Sequence, residues 1–200
     1  MAGVARYRIL ILPVSAVVIA LLVAWRLGRE TDRQDAVSQP PPVRRQLAPV
    51  FELYDQNNQL VKFERYLGRT RLVVVFYEAA TGADEDPHLV RLRRHIEDVA
   101  AAGVQVVGIS TAVPAENRRA AERAGGEFPF PLLTDIDPVH QSTGAVHGQW
   151  GLSDPETGAL QTGLFLVDRA GMVGTDDGTP VPEESPESVV DALCSGRWPR

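Results

Sequence analysis

Three consecutive acids, Asp84, Glu85 and Asp86, stand directly before Pro87. At a helix N-terminus such carboxylates accept backbone N–H bonds and interact favourably with the helix dipole. The alternative is a Ca²⁺ or Mg²⁺ site built from the same oxygens, but three adjacent acids lack the ligand spacing of a cation-binding loop. The residue types therefore favour a structural role and predict no metal site.

Cys194 is the only cysteine in the 200 residues, which excludes an intrachain disulfide. It shares a predicted helix face with Val190 and Leu193, and a thiol on an apolar face is expected to be buried and unreactive. The four histidines have no metal-ligand spacing and are expected at the surface or on helix faces. No Ser-His-Asp set, phosphate loop or dinucleotide motif is present, so no cofactor is predicted.

The elements that position these residues alternate between strand and helix. Residues 71–77 (RLVVVFY) and 104–110 (VQVVGIS) are apolar, β-branched runs typical of strands buried on both faces. Asp86 and Pro87 predict the start of a helix that ends at Gly103. The other predicted elements are a hairpin around 56–58, helices at 114–124, 138–144 and 188–194, a turn-rich segment at 147–158 and a strand at 164–167. This order predicts an α/β fold with a mixed central sheet flanked by helices.

Five motifs occur in order between Ala48 and Gly171. They are PxFxLxD at 49–55, VVVFY at 73–77, GVQVVGIS at 103–110, FPLLTDIDP at 130–138 and FLVDRAG at 165–171. Together they resemble the peroxiredoxin-like redoxins of the thioredoxin superfamily, of the alkyl hydroperoxide reductase and thiol-specific antioxidant type. The resemblance implies a thioredoxin-like fold with a thiol-based active site in the loop after residues 73–77.

In active members of that family this loop carries a Thr-x-x-Cys motif, and the helix N-terminus and a nearby arginine stabilise the thiolate. The corresponding residues here are Thr81, Gly82, Ala83, Asp84, Glu85 and Asp86. Ungapped counting places the family's cysteine on Glu85 and its threonine on Gly82, whereas a shift of one residue places them on Asp84 and Thr81. Neither register contains a thiol.

The family's arginine position falls on Gln161 or Thr162, so this partner is missing as well. A carboxylate has no two-electron sulfur chemistry with which to reduce a peroxide. We therefore expect no catalytic residue in the loop and interpret the chain as a non-catalytic redoxin, a pseudo-enzyme that acts as a binding or accessory module. The alternative is a thiol-dependent antioxidant or disulfide oxidoreductase that uses Cys194.

Residues 9–25 form an uncharged apolar run of seventeen, with Arg6 and Arg8 before it and Arg26 and Arg29 after it. Its length and flanks predict a single-pass membrane anchor within residues 1–26, with a cleaved signal peptide as the alternative. Residues 27–48, which include three consecutive prolines, are predicted to be a linker, and residues 49–200 the redoxin domain. We expect this domain on the extracytoplasmic side.

Charge is distributed unevenly along the chain. Residues 49–200 contain thirteen Lys and Arg against twenty-three Asp and Glu, a net charge of −10. A domain this acidic repels phosphate backbones, which argues against a nucleic-acid partner. The sequence predicts the membrane as a partner, contacted through Ile9 to Trp25. It does not identify a protein partner.

Overall fold

A computed structural model describes residues 44–137 and 142–199. Eleven strands and five α-helices lie within these ranges. The strands are β1 (Arg44–Leu47), β2 (Glu52–Tyr54), β3 (Leu60–Lys62), β4 (Arg71–Phe76), β5 (Val104–Ser110), β6 (Leu132–Thr134), β7 (Ile136–Asp137), β8 (Ser142–Thr143), β9 (Gly163–Val167), β10 (Met172–Asp176) and β11 (Thr179–Pro180). The helices are α1 (Pro87–Arg94), α2 (Ile96–Ala101), α3 (Pro114–Arg123), α4 (Ala145–Gln149) and α5 (Pro186–Cys194).

One mixed sheet runs in the order β1-β10-β9-β4-β5-β6-β2-β3, and β11 pairs with β10. Strands β4, β5 and β6 are parallel, whereas the pairs on either side of them are antiparallel. Strands β7 and β8 form a separate two-stranded ladder. Both crossovers between the parallel strands contain helices, as parallel pairing requires. The predicted mixed sheet flanked by helices is confirmed.

Strand β4 contributes to two hydrophobic clusters, one on each face of the sheet, because successive side chains of a strand point to opposite faces. Val73 and Val75 pack in one cluster with Leu89 and Leu92 of α1. Leu72, Val74 and Phe76 pack in the other cluster. That cluster contains the buried aromatics Phe63, Trp150 and Phe165, with the Trp150 ring 4.9 Å from Phe165 and 5.7 Å from Phe76.

The predicted helix from residue 86 to residue 103 is broken in the structure. At His95 the backbone turns to φ −111° and ψ 27°, outside the helical region, so α1 ends at Arg94 and α2 begins at Ile96. Gly103 then ends the segment with φ +70°, a conformation that favours glycine. Apolar spacing alone did not show the break, because both helices bury the same side against the sheet.

The predicted boundary of the folded domain at residue 49 is wrong by five residues. Residues 44–47, assigned to the linker, form β1 and pair with β10 from Arg44 opposite Thr175 to Leu47 opposite Met172. This strand lies at the sheet edge, so it has no apolar alternation to reveal it. Its position comes from backbone hydrogen bonds to a strand more than 120 residues later in the chain.

The predicted helix at residues 138–144 is also displaced. Ser142 and Thr143 are in β8, and the helix, α4, occupies residues 145–149. Residues 147–149, assigned to a turn-rich segment, are therefore helical. Residues 138–141 lie outside the described ranges.

No helix in the described part of the chain is long and apolar enough to cross a membrane. The expected anchor at residues 9–25 and residues 27–43 of the expected linker lie outside that part.

Candidate functional site

The loop singled out by the sequence joins the carboxyl end of β4 to α1. Phe76, the last residue of β4, lies opposite Gly163 at the start of β9, so residues 161 and 162 enter at the same edge of the sheet. The parallel neighbour β5 also ends there. The carboxyl ends of parallel strands are the usual location of ligand sites in α/β folds.

Backbone bonds and an N-cap hold this loop in shape. The Gly82 N–H donates to the carbonyl of Glu78 at 3.0 Å, and the carbonyl of Gly82 accepts from Asp86 at 3.1 Å. The Asp86 carboxylate then caps α1 by accepting from the N–H groups of His88 (3.1 Å) and Leu89 (2.9 Å). Burial raises the pKa of Asp86, and these N–H bonds oppose the rise. The predicted capping role is confirmed for Asp86.

Asp84 makes a bidentate ion pair with Arg123, the last residue of α3. Arg123 Nε donates to Asp84 Oδ2 and Arg123 Nη2 donates to Asp84 Oδ1, both at 2.7 Å. The Asp84 side chain is 7% exposed, whereas that of Arg123 is 56% exposed. The guanidinium bonds lower the pKa of Asp84. Both oxygens of the carboxylate are therefore occupied by the guanidinium fork, a geometry stronger than a single charged hydrogen bond.

Gly82 leaves the space that this ion pair fills. A Cβ added at Gly82 would lie 2.9 Å from Asp84 Oδ1 and 3.2 Å from Arg123 Nη2, and its backbone has φ +82°. Gly82 is the residue that ungapped counting matches to the family's threonine. The glycine at position 82 and the ion pair of Asp84 are thus coupled, because a larger residue at 82 would displace the Asp84–Arg123 pair.

The remaining loop residues do not converge on a reaction centre. Thr81 Oγ1 donates to the Glu78 carboxylate at 2.9 Å, and Glu85 is exposed. Ala83 is buried in the core cluster that contains Leu89 and Leu92. Gln161 and Thr162 are both exposed. Among the residues that the structure describes, no three His, Cys, Asp or Glu side chains are placed to hold a metal ion.

Cys194 lies beside α1 rather than in the loop. Its Sγ is 3.9 Å from the carbonyl oxygen of Arg91, which is the fifth residue of that helix. The side chain is half-buried, and burial raises the pKa of the thiol. The guanidinium of Arg91 is itself paired with Asp191. This environment favours the neutral thiol.

Tyr77 and Asn117 form a buried polar contact that the sequence did not indicate. Tyr77 Oη donates to Asn117 Oδ1 at 2.7 Å, and burial raises the pKa of this phenol. Asn117 Nδ2 is buried without a hydrogen-bond partner among the described residues. Tyr77 directly follows β4 and Asn117 is on α3, so the contact joins the start of the loop to the helix that carries Arg123.

His147 was expected at the surface or on a helix face, and it lies on the buried face of α4. It is 3% exposed, and its Nδ1 lies 2.6 Å from Asp135 Oδ2. Asp135 directly follows β6 and also accepts from the N–H groups of Val146 and His147, which anchors the start of α4. The two residues are twelve apart in the chain, so no local pattern connects them.

A largely apolar groove of about 460 Å³ opens at the same edge of the sheet. It is lined by Tyr54, Asn58, Val113, Pro114, Thr134 and Ile136. Val113 and Pro114 follow β5, and Ile136 follows β6, so the groove lies beyond the carboxyl ends of these strands. Its volume is within the range of small-molecule sites in proteins.

We expect Gly82→Ala to destabilise the protein more than Gly158→Ala. Gly158 has φ +70° and open space around its Cα, so an alanine there introduces backbone strain alone. An alanine at Gly82 introduces the same strain and also a close contact with the ion pair. We expect a loss of about 1 kcal/mol for Gly158→Ala and about 2 kcal/mol or more for Gly82→Ala in the free energy of unfolding, measured by urea denaturation. Equal losses would show that the loop accommodates a side chain at position 82.

We expect Asp84→Asn to lower stability at pH 7, with the difference from the wild type shrinking below about pH 4. The ordinary pKa of the carboxyl is 3.8 and the folded value is lower, so ionised Asp84 stabilises the native state fully above 3.8. This contribution is lost as the pH falls through the lowered pKa. Denaturation curves from pH 3 to pH 7 test it, with exposed Glu85→Gln as the control. A difference that does not depend on pH would contradict the ion-pair role.

The sequence of this chain is similar to known proteins of one family. Residues 45–175 match the AhpC/TSA family. The chain is 33% identical over 126 residues to alkyl hydroperoxide reductase E of Mycobacterium tuberculosis, which covers 63% of this chain and 78% of that protein. It is 30% identical over 127 residues to peroxiredoxin Bcp of Escherichia coli, covering 64% and 80% respectively.

Solved structures share the fold. Peroxidoxin BcpB from Mycobacterium tuberculosis superposes with a TM-score of 0.56 and 23% identity, covering 76% of this chain and 96% of that one. The mitochondrial 2-Cys peroxiredoxin from Plasmodium falciparum superposes with a TM-score of 0.54 and 21% identity, covering 75% and 91%. These similar structures show that the chain has a thioredoxin-like α/β fold. The match over residues 45–175 shows that it belongs to the AhpC/TSA family of peroxiredoxin-like redoxins.

Proposed function

We propose that this chain is a non-catalytic redoxin, tethered to a membrane by residues 9–25, that acts as a binding or accessory module. The observation that supports the loss of catalysis is the Asp84–Arg123 ion pair in the loop after β4. In the family that the chain belongs to, this loop supplies a cysteine thiolate. Here it supplies a carboxylate with both oxygens engaged.

The chemistry of peroxide reduction is missing from the loop in three respects. The loop has no sulfur to accept the peroxide oxygen. The guanidinium of Arg123, which binds a loop carboxylate, is neutralised by Asp84 and is not free to stabilise an anion. The positions expected to carry the family's arginine, 161 and 162, hold Gln and Thr. Each loss alone would slow the reaction, and together they remove the nucleophile and its electrostatic support.

The rival function is a thiol-dependent antioxidant that uses Cys194, and the names of the relatives favour it. Against it stand the location and the environment of the thiol. Cys194 is half-buried beside the carbonyl of Arg91, and burial raises its pKa, so little of it is thiolate at neutral pH. A reactive cysteine requires the opposite setting, exposed and next to a free positive charge.

The groove beside the carboxyl ends of β5 and β6 supports the binding role. It is apolar, it is open to solvent, and the polar groups of Tyr54, Asn58 and Thr134 lie along its wall. Such a combination suits a ligand or peptide with an apolar body and a few hydrogen-bonding groups. A fold that has lost its chemistry keeps this surface, because the strands that form it also form the core.

We expect the wild type and Cys194→Ser to consume hydrogen peroxide at the background rate with a dithiol reductant. The structure also predicts which substitution restores most reactivity. A thiol introduced by Asp84→Cys would lie beside Arg123, whereas one introduced by Glu85→Cys would not, and a pKa lowered by about one unit gives about tenfold more thiolate near neutral pH. We therefore expect faster consumption by Asp84→Cys than by Glu85→Cys. Robust wild-type turnover that disappears in Cys194→Ser would overturn the proposal.

We expect the native protein to stay with membranes after carbonate extraction and to retain residues 1–26. The reason is the uncharged run from Ile9 to Trp25, which is long enough to enter the bilayer and lacks a cleavage signal. Mass spectrometry of the N-terminal peptide and immunoblots of the membrane fraction are the measurements. Recovery of a soluble chain that begins between residues 26 and 48 would contradict the tether.

A further inference from the structure

Four arginines that are scattered in the sequence meet at the end of the sheet opposite the loop. Arg71 begins β4, and Arg69 precedes it by two residues. Arg169 lies in the turn between β9 and β10, and Arg197 follows α5. The amino end of β4 and the carboxyl end of antiparallel β9 are neighbours, because Leu72 pairs with Val167. The topology therefore brings these residues together.

Contacts of the Arg71 and Arg169 side chains agree with this placement. The guanidinium of Arg71 lies 5.0 Å above the ring of Trp198, which directly follows Arg197. A Cβ added at Gly103 would lie 3.3 Å from Nη2 of Arg169. Gly103 stands directly before β5, whose first residue lies opposite Arg71.

The charges at this end are not neutralised by ion pairs. Some basic residues of the described chain, such as Lys62, Arg91 and Arg123, pair with a carboxylate. Within residues 44–137 and 142–199, no salt bridge involves any of the four arginines at this end. Arg69, Arg169 and Arg197 are exposed, and Arg71 is half-buried.

Two carboxylates near this end, those of Asp168 and Asp98, have other partners. Asp168, next to Arg169, accepts from Arg45 at 3.0 Å and from the N–H groups of Ala170 and Met172. Asp98, whose carbonyl lies near Gly196, has its carboxylate 3.3 Å from Nδ1 of His95. The end therefore keeps a positive charge in a domain whose net charge is −10 over residues 49–200.

An apolar side chain adjoins these arginines. Leu47 is 65% exposed, the largest value among the large hydrophobic residues of the described chain. It lies at this end, since a Cβ added at Gly171 would be 3.6 Å from its Cδ2. We define the basic end as Leu47, Arg69, Arg71, Arg169 and Arg197.

We propose that the basic end docks on anionic lipid headgroups of the bilayer that holds residues 9–25. The proposal rests on the tether of the proposed function. Arginines near an anionic surface are attracted to it, and an exposed Leu side chain enters the headgroup region. A nucleic acid would attract the same charges but gains nothing from Leu47, and the rest of the acidic domain repels it.

Chain length allows this orientation. Eighteen residues, 26–43, separate the apolar run from β1, and an extended segment of that length would span up to about 55 Å at ~3.1 Å per residue. The consequence concerns the other end of the sheet. With the basic end on the lipid, the loop after β4 and the groove beyond β5 face away from the bilayer, where a partner can reach them.

The test uses the full chain in nanodiscs of phosphatidylcholine alone or with phosphatidylglycerol. Hydrogen exchange is followed in peptides that cover residues 44–50, 66–71 and 168–172. We expect exchange of exposed amides to slow by about threefold or more on the anionic discs only, and the effect to disappear in about 0.5 M salt. Protection that is equal on both kinds of disc, or absent from both, would overturn the proposal.

The variant Arg69→Gln with Arg169→Gln is expected to lose this protection. The control, Lys62→Gln with Arg119→Gln, removes the same two charges from β3 and α3 and is expected to keep it. Unchanged protection in the first variant overturns the proposal, as does protection of the same peptides by a DNA duplex and not by anionic discs. If the protein stays in the discs after carbonate treatment but its peptides are not protected from exchange, docking is refuted and the tether is not. If the protein is lost from the discs, both the tether and the docking are refuted.

Discussion

Burial of β4 on both faces is the constraint on which the rest of this structure depends. Its alternating side chains contact α1 on one side and the aromatic cluster around Trp150 on the other. A strand in this position must pair on both edges, and it does so with parallel β5 and antiparallel β9. Every segment of interest is attached to this arrangement. The loop leaves the carboxyl end of β4, and the basic end surrounds its start.

The loop after β4 lies where the family has its active site, but its charged groups are arranged differently. An active site of this family requires an ionised sulfur beside a free positive charge at a helix N-terminus. Here the positive charge of Arg123 is bound by Asp84, the helix N-terminus is capped by Asp86, and Gly82 provides the room for the ion pair. A guanidinium and a helix N-terminus are present at the loop, and both are bound by its own carboxylates. The result is a surface of paired charges beside the loop.

Charge separates the two ends of the domain. The overall acidity of residues 49–200 suggests a surface that repels anions everywhere, yet Arg69, Arg71 and Arg169 lie together at one end of β4 and β9. Average composition describes long-range repulsion, but contact with a surface depends on the few charges that face it within a Debye length. An acidic domain with one basic end therefore has a preferred orientation beside an anionic layer, which a uniformly acidic domain would not have.

The amino-acid sequence by itself determined the fold class, the order of the central strands, the cap at Asp86 and the absence of a thiol from the loop. These features depend on neighbours in the chain: runs of β-branched residues, a proline after an N-cap, and one motif following another. Only the tertiary structure decided that Arg123 binds Asp84, that His147 is buried against Asp135, that residues 44–47 complete the sheet, and that Arg69 and Arg169 share one end. Each of these depends on groups far apart in the chain, whose meeting is set by strand pairing and packing rather than by local sequence.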